Sequence, residues 1–333
     1  MSALLELRGA RLGRRRLLRA PCVLLSQIDL ALSAGEIVAL TGEIGPAATC
    51  LAGLMTGQAP PLAGTVLFEG TDLGRLPGHQ WRRLRWRMAI WRSAAEAPLS
   101  PLSPAMAALE EQLDTLLPRL DPRHRAPRLL EALERAGVAP ERALDQPASL
   151  SPNDRAALSL ARALVTRPEL LLAIDPFAQL DPSERASTLN RLLRMAGEGV
   201  AILLLTPDIG LAGHVAQRLG VLRAGRLVEY GMAEDLMLTP RHPYTQLLLN
   251  TRADPLGGNW SHPRPPAPLP PAEPVFLRPL RAPRVPADLV AEESPEAGAP
   301  AEEITEENAA ENAEEPAGQA SAASSSTETE RTT

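Results

Sequence analysis

The chain of 333 residues contains no lysine; all 34 of its basic residues are arginine. Lysine is normally among the commonest residues, so its complete absence points to a bias toward arginine-rich codons. Such a bias would more naturally leave arginine than a neutral residue wherever a cation was needed. Cysteine is nearly as scarce. Cys22 and Cys50 are too few for a disulfide framework and match no metal-site spacing, which makes a reducing cytoplasm the default. Aromatic residues form 3% of the chain, and none precedes Phe68. No apolar run reaches the ~18–20 residues of a membrane span, and no signal peptide is evident. The expectation is a soluble protein, or one held at a membrane by a partner. The length suits one large α/β domain with a tail, or two modest domains. Charge is uneven: residues 254–333 carry 5 arginines against 15 carboxylates. That acidity argues against nucleic acid as a partner of the tail.

What is present is organised around residues 35–56, G-E-I-V-A-L-T-G-E-I-G-P-A-A-T-C-L-A-G-L-M-T. Ile37 to Leu40 is a short apolar run bounded by glycines and reads as a buried strand. A helix is predicted from Ala48 to Met55, directly after a tight glycine-containing turn. Strand, glycine turn and helix form the context of a phosphate-binding loop, where backbone N–H groups cradle phosphates, a lysine reaches the β- and γ-phosphates and a hydroxyl binds magnesium. Against the template G-x-x-x-x-G-K-[ST], Gly42 and Thr49 match the ends. Ala47 replaces the second glycine and Ala48 the lysine, and Pro46 has no N–H to donate. Residues Gly42, Glu43, Ile44, Gly45, Pro46, Ala47, Ala48, Thr49 and Cys50 are thus a candidate but degenerate nucleotide loop, with Thr49 the candidate magnesium ligand. A strand, turn and helix with no nucleotide role explains the stretch about equally well.

Further elements follow in order. Leu4 to Leu12 and Val23 to Leu32 alternate apolar and polar residues, as in two strands of a small antiparallel sheet joined through residues 14–19. Gly64 to Gly70 is a strand closed by glycines, followed by a basic helix from Trp81 to Arg87. That helix could suggest a nucleic-acid surface with interleaved tryptophans. Met88 to Arg92 reads as another strand. From Ala105 to Arg162 the pattern is helical, with leucines at 109, 113, 116, 117, 129, 130 and 133 interrupted by Pro118 and Pro122. Val200 to Leu205 is a buried strand, Arg218 to Glu229 a hairpin, and Leu238 to Leu249 a capped amphipathic helix. Residues 263–286 are proline-rich and 291–333 rich in Ala, Glu, Ser and Thr, a composition of disorder.

These segments resemble the ATP-binding subunits of ABC transporters, and the ending H-P-Y-T-Q-L-L-L at 242–249 is similar to that of the peptide, oligopeptide and nickel importers. Leu150 to Leu164, L-S-P-N-D-R-A-A-L-S-L-A-R-A-L, resembles the signature L-S-G-G-Q-R-x-R-x-x-x-A-R-A-L without a gap. Within it Leu150, Ser151, Pro152, Asn153 and Asp154 occupy the segment that in the family grips the γ-phosphate bound to the opposite subunit. Pro152 and Asn153 stand for its two glycines. Pro168 to Asp181 is similar to the strand P-x-L-L-I-A-D-E-P-T-x-x-L-D. There Ile174 takes the magnesium aspartate's place and Asp175 the catalytic glutamate's, unless the register slips by one and Asp175 becomes the metal ligand. Arg92 stands for the glutamine that contacts magnesium and the attacking water, and Pro207 for the histidine that orients that water. No aromatic residue near Leu12 can stack on adenine.

The resemblance implies an α/β fold with an ABC-type P-loop core, a small antiparallel β subdomain and a helical subdomain near residues 95–162, spanning 1–252, then a disordered tail over 253–333. It also implies a second ATP-binding subunit and membrane-spanning permease subunits as partners, at the cytoplasmic face of the inner membrane, and no nucleic acid, since the family carries the same basic helix. ATP and magnesium are expected to be held weakly if at all. The first expectation is therefore a catalytically impaired structural partner in an ATPase heterodimer. Two alternatives stand beside it: a working ATPase using Thr49, Asp175 and backbone donors, and a soluble regulatory protein derived from such a subunit.

Overall fold

The computed structural model describes residues 3–14, 22–93, 99–100, 103–178 and 180–251, with the backbone of a strand at 275–276. The strands in the first third are β1 (Leu5–Arg14), β2 (Cys22–Leu32), β3 (Ile37–Gly42), β4 (Ala63–Phe68), β5 (Thr71–Asp72) and β6 (Met88–Arg92), with helices α1 (Ile44–Met55) and α2 (Gly78–Leu84). Then come α3 (Ala105–Leu116), α4 (Pro122–Ala136), α5 (Pro152–Leu164), β7 (Leu170–Ile174), α6 (Pro182–Gly197) and β8 (Ala201–Leu205). The described chain ends with α7 (Ile209–Val215), β9 (Arg218–Arg223), β10 (Arg226–Met232), α8 (Ala233–Leu238), α9 (Pro243–Thr251) and β11 (Val275–Phe276).

Two sheets result. The smaller is antiparallel, in the order β2-β1-β4-β5. Along β1 the side chains of Leu5, Leu7, Ala10 and Leu12 are buried while Arg8 and Arg11 are exposed. The step from Leu7 to Ala10 breaks the period of two because the register shifts there, and Gly9 in the shift takes φ +53. The larger sheet has the order β11-β10-β9-β3-β8-β7-β6, and β3, β8, β7 and β6 run parallel. Strands β7 and β8 are buried at every residue, which is why L-L-L-A-I and A-I-L-L-L are unbroken apolar runs rather than alternating ones. The hairpin between β9 and β10 turns through Ala224 and Gly225, both at positive φ, as a two-residue turn of the favoured hand requires.

One apolar core lies where α3 to α7 pack with the parallel sheet, around Trp91, Leu109, Leu113, Leu133, Leu158 and Leu192. A second fills the space around α1 and the small sheet, with Leu5, Leu32, Leu51, Leu54 and Phe68. Arg87 fastens the two sheets together at their edge, donating to Glu169 at 2.6 and 2.5 Å and pairing with Glu69 at 2.7 Å.

Several boundaries differ from the sequence expectation. The basic helix read from Trp81 to Arg87 is α2 at 78–84 followed by a 3-10 turn at Arg85–Arg87. The stretch from 105 to 162 is three helices with single 3-10 turns at Pro140–Leu144 and Pro147–Ser149. Gly137 stops α4 with φ +72, its N–H returning to Glu134, a left-handed cap that glycine adopts without strain. Proline opens α4, α5, α6, α9 and both of these 3-10 turns, where its missing N–H is needed by no acceptor. These six prolines are therefore punctuation.

The expectations for residues 15–19, for the loop through 94–98 and 101–102, and for the tail beyond Thr251 lie outside the described residues, apart from 275–276. Those two residues extend the large sheet parallel to β10, with Val275 opposite Glu229, and the first compact unit runs from Met1 to Leu280. Among the described residues no helix is long and apolar enough to cross a membrane.

Candidate functional site at the carboxyl ends of the parallel strands

The register of the parallel strands brings the predicted site residues to one edge of the sheet. Leu40 of β3 lies opposite Leu205 of β8, Leu205 opposite Ile174 of β7, and Ile174 opposite Arg92 of β6. Gly42, Thr206 with Pro207, Ile174 with Asp175, and Arg92 therefore leave the sheet side by side. Ligands bind at this end of open α/β sheets.

The turn after β3 is shorter than expected. The predicted helix start at Ala48 is corrected to Ile44, so a single residue, Glu43, separates Gly42 from α1. The sequence allows this because Pro46 falls in the first helical turn, where a missing N–H is tolerated, and Ala47 and Ala48 are strong helix formers whose side chains are buried in the core. Gly45, Pro46, Ala47, Ala48, Thr49 and Cys50 are all helical. The Thr49 hydroxyl donates to the Gly45 carbonyl at 3.3 Å, a bond within the helix. The first-turn N–H groups of Ile44, Gly45 and Ala47 still have no intrahelical acceptor, but no loop wraps around them. At their head stands a carboxylate, Glu43, which accepts from the Ala224 N–H at 2.7 Å.

Gly42 takes φ +87, and a Cβ there would lie 2.4 Å from the Leu222 carbonyl oxygen and 3.2 Å from Cε1 of Tyr244. Only glycine fits. Tyr244 comes from α9, whose entry is fixed by Glu229. That carboxylate is 1% exposed and accepts from the N–H groups of Arg241 at 2.9 Å and His242 at 3.1 Å. His242 then accepts the Tyr244 N–H on Nδ1 at 3.1 Å, and its burial holds the imidazole below the ordinary histidine pKa. Arg223 lies over the Tyr244 ring at 5.0 Å. The family-like ending thus packs against the loop glycine, a contact the sequence pattern did not disclose.

The other predicted residues are placed as follows. Ile174 is 1% exposed and apolar. Asp175 follows it at φ +41, uncommon for a residue with a Cβ, with its N–H bonded to the Leu205 carbonyl at 2.7 Å. Pro207 is exposed, and its carbonyl accepts from the Thr41 hydroxyl at 3.3 Å. Leu150, Ser151, Pro152, Asn153 and Asp154 form the entry to α5. The Ser151 hydroxyl accepts the Asp154 N–H at 3.0 Å, so it caps its own helix, and Arg155 donates to the Leu150 carbonyl at 2.6 Å. Asp181 caps α6 in a reciprocal box with Glu184, and the backbone N–H of Glu184 holds its carboxyl below the usual range.

A magnesium-bound nucleotide does not fit these residues. The position of the ligating aspartate is a buried isoleucine, the Thr49 hydroxyl is bonded within its helix, and no lysine exists anywhere in the chain. Among the described residues no group of three His, Cys, Asp or Glu side chains could hold a metal ion.

Comparison with known proteins decides the family. The sequence pattern of the ABC transporter family matches residues 25–178, and the chain is 32% identical over 226 residues to the probable peptide ABC transporter ATP-binding protein y4tS of Sinorhizobium fredii. The chain belongs to the ABC transporter ATP-binding family. That match covers 67% of this chain and 63% of the Sinorhizobium protein. A Brucella ovis protein named for peptide import and ATP binding is 29% identical over 241 residues, covering 70% of this chain and 73% of its own. The fold agrees with the dimeric ATP-binding cassette MJ0796 bound to ADP and Pi, at a TM-score of 0.59 and 21% identity, over 69% of this chain and 98% of that one. In this ABC cassette the turn after β3 is Gly42 followed by the single residue Glu43, after which α1 begins.

Proposed function

We propose that this ABC cassette is a noncatalytic or feebly ATP-binding subunit of a peptide- or nickel-type importer, the structural half of an ATPase heterodimer. Its partners in this reading are a more complete ATP-binding subunit and membrane-spanning permease subunits at the cytoplasmic face of the inner membrane. The peptide-transport names of its relatives support the cargo class. The observation that carries the impaired chemistry is the start of α1 at Ile44. Phosphate loops work by wrapping free N–H groups around the phosphates and adding a lysine, and here the wrapping residues are helical and the lysine position is a buried alanine. Catalysis of phosphoryl transfer is almost entirely positioning and charge stabilisation, so losing the lysine, the magnesium carboxylate and the water-orienting side chain together leaves little to lower the barrier. Equilibrium binding of ATP to the purified full chain, with and without magnesium, tests this reading. Weak, magnesium-indifferent binding and no turnover are expected; submicromolar magnesium-dependent binding would overturn it.

A further inference from the structure

A cleft of about 620 Å³ lies between α7, the end of β10 and α8, lined by Leu211, Gly213, Met232, Glu234, Met237 and Leu238 among others. It sits at the opposite end of the parallel strands from the candidate nucleotide site. Met232 lies opposite Arg218 in the β9–β10 hairpin, and Arg218 opposite Val38 near the start of β3. Gln217, also on the cleft, accepts the Ile37 N–H at 2.7 Å. None of the residues placed in the nucleotide site lines this space. The apolar part of the lining is exposed and adaptable. Leu238 is 73% exposed and Met232 53%. At Gly213 a Cβ would lie 2.5 Å from the Met237 sulfur, so the missing side chain is what lets that thioether rest on α7. Methionine fills irregular gaps and suits surfaces that take up another segment.

The strand beside β10 leads a segment of this chain toward the cleft. In the parallel pairing of β11 with β10, Val275 lies opposite Glu229 and Phe276 opposite Tyr230. The same register continued sets Leu277 beside Gly231 and Arg278 beside Met232, the last residue of β10. Pro279 has no N–H with which to extend a ladder, so pairing stops where β10 stops. At about 3.3 Å per residue, residues 277–280 span about 13 Å, a reach that carries the chain past the end of β10 to α8. The first compact unit closes at Leu280. Charge agrees with this path. Glu234 is exposed on the cleft and, among the described residues, its carboxylate has no ion pair. The segment L-R-P-L brings one cation, Arg278, with a leucine at either end.

We propose that Leu277 to Leu280 dock in this cleft of their own chain, covering Met232 and Leu238 and pairing Arg278 with Glu234. The segment is the chain's own cover for α7 and α8, and it sets the point at which the residues that follow leave the folded unit. The inference is independent of the noncatalytic reading, which is judged by turnover and magnesium dependence.

Oxidation of the full chain by dilute hydrogen peroxide, followed at each methionine by peptide mass spectrometry, reads the cover directly, because methionine oxidises according to its exposure. The variants are Leu277→Asp with Leu280→Asp, Arg278→Glu alone, and Arg278→Glu with Glu234→Arg. Met232 is expected to oxidise at least about threefold faster in the two-leucine variant and in Arg278→Glu than in the native chain, and to return close to the native rate when Glu234→Arg is added. Equal Met232 rates in the native chain and the two-leucine variant overturn the proposal. A rate in Arg278→Glu that matches the native one, or that Glu234→Arg leaves raised, overturns it as well. So does protection of the native chain that is lost on about tenfold dilution, since the cover is then a second copy. Met195, 1% exposed in the core, reports global unfolding; should it oxidise faster in the two-leucine variant, the charge variants decide.

Discussion

At the scale of single residues, the consequences concentrate around Gly42. Restoring a lysine to the loop, Ala48→Lys, places an ammonium group where the native side chain is 7% exposed and packed in the core. Overpacking and burial of an unpaired charge are among the few mechanisms with large effects. The variant is expected to lose roughly 2–4 kcal/mol of stability in urea titration and to show no ATP turnover, because Ile174 and Pro207 remain. Turnover near 1 s⁻¹, the ordinary range of about 1 s⁻¹ and above, would show that the rest of the site is competent. His242 gives a pH signature. Its folded pKa lies below the ordinary histidine value of about 6.5, through burial first and the nearby Arg223 last, with Glu229 opposing. The unfolded chain therefore binds the proton more readily, and stability rises with pH across this window. It is fully present above about 6.5 and falls as the pH drops toward the folded value. His242→Asn keeps an acceptor for the Tyr244 N–H without titrating, so its thermal midpoint should vary less between pH 7.5 and 5.5 than that of the native chain.

At the scale of elements, the sequence was most legible where one force dominates. The unbroken apolar runs of β3 and β8 announced buried strands, whereas the capping box of Asp181 and Glu184 emerged only from the structure. That cap is a clean test of element stability. Asp181→Ala removes the half of the box made by its carboxylate, leaving the backbone N–H at that position to donate to Glu184, and is expected to lower stability by about 1 kcal/mol, read as a shift in urea midpoint with an unchanged slope. The start of α1 was misread because Gly42, Gly45 and Pro46 are breakers by local propensity, whereas their placement depends on tertiary fit: Gly42 makes the turn alone, and Pro46 falls in a helical turn that tolerates it. The interruption at Pro118 and Pro122 marked the break between α3 and α4, whereas the 3-10 turns between α4 and α5 were not separated from the helical pattern. Tyr244 against Gly42 was invisible for another reason. It is a contact between residues far apart in sequence, and no local period encodes it.

At the scale of the whole molecule, the extent of the folded unit is the measurable quantity. The family resemblance placed the end of the ordered domain near residue 252, but residues 275–276 pair with β10. A chain ending at Leu280 is expected to melt within about 2 °C of the full protein, whereas one ending at Thr251 leaves β10 as an open sheet edge. The shorter chain should melt a few degrees lower, by about 2–4 °C for a domain of this size and a loss near 1 kcal/mol, and should self-associate on a sizing column; equal midpoints for the two truncations would show that the 275–276 pairing contributes nothing. The packing of Tyr244 on Gly42 has a kinetic side as well. The turn that launches α1 is synthesised early, yet the ring that closes over it arrives about 200 residues later, and contacts of such long sequence separation form late in folding. On the ribosome the front of this domain would wait, incompletely closed, until α9 has left the exit tunnel, which makes the final helix the step that completes the first turn.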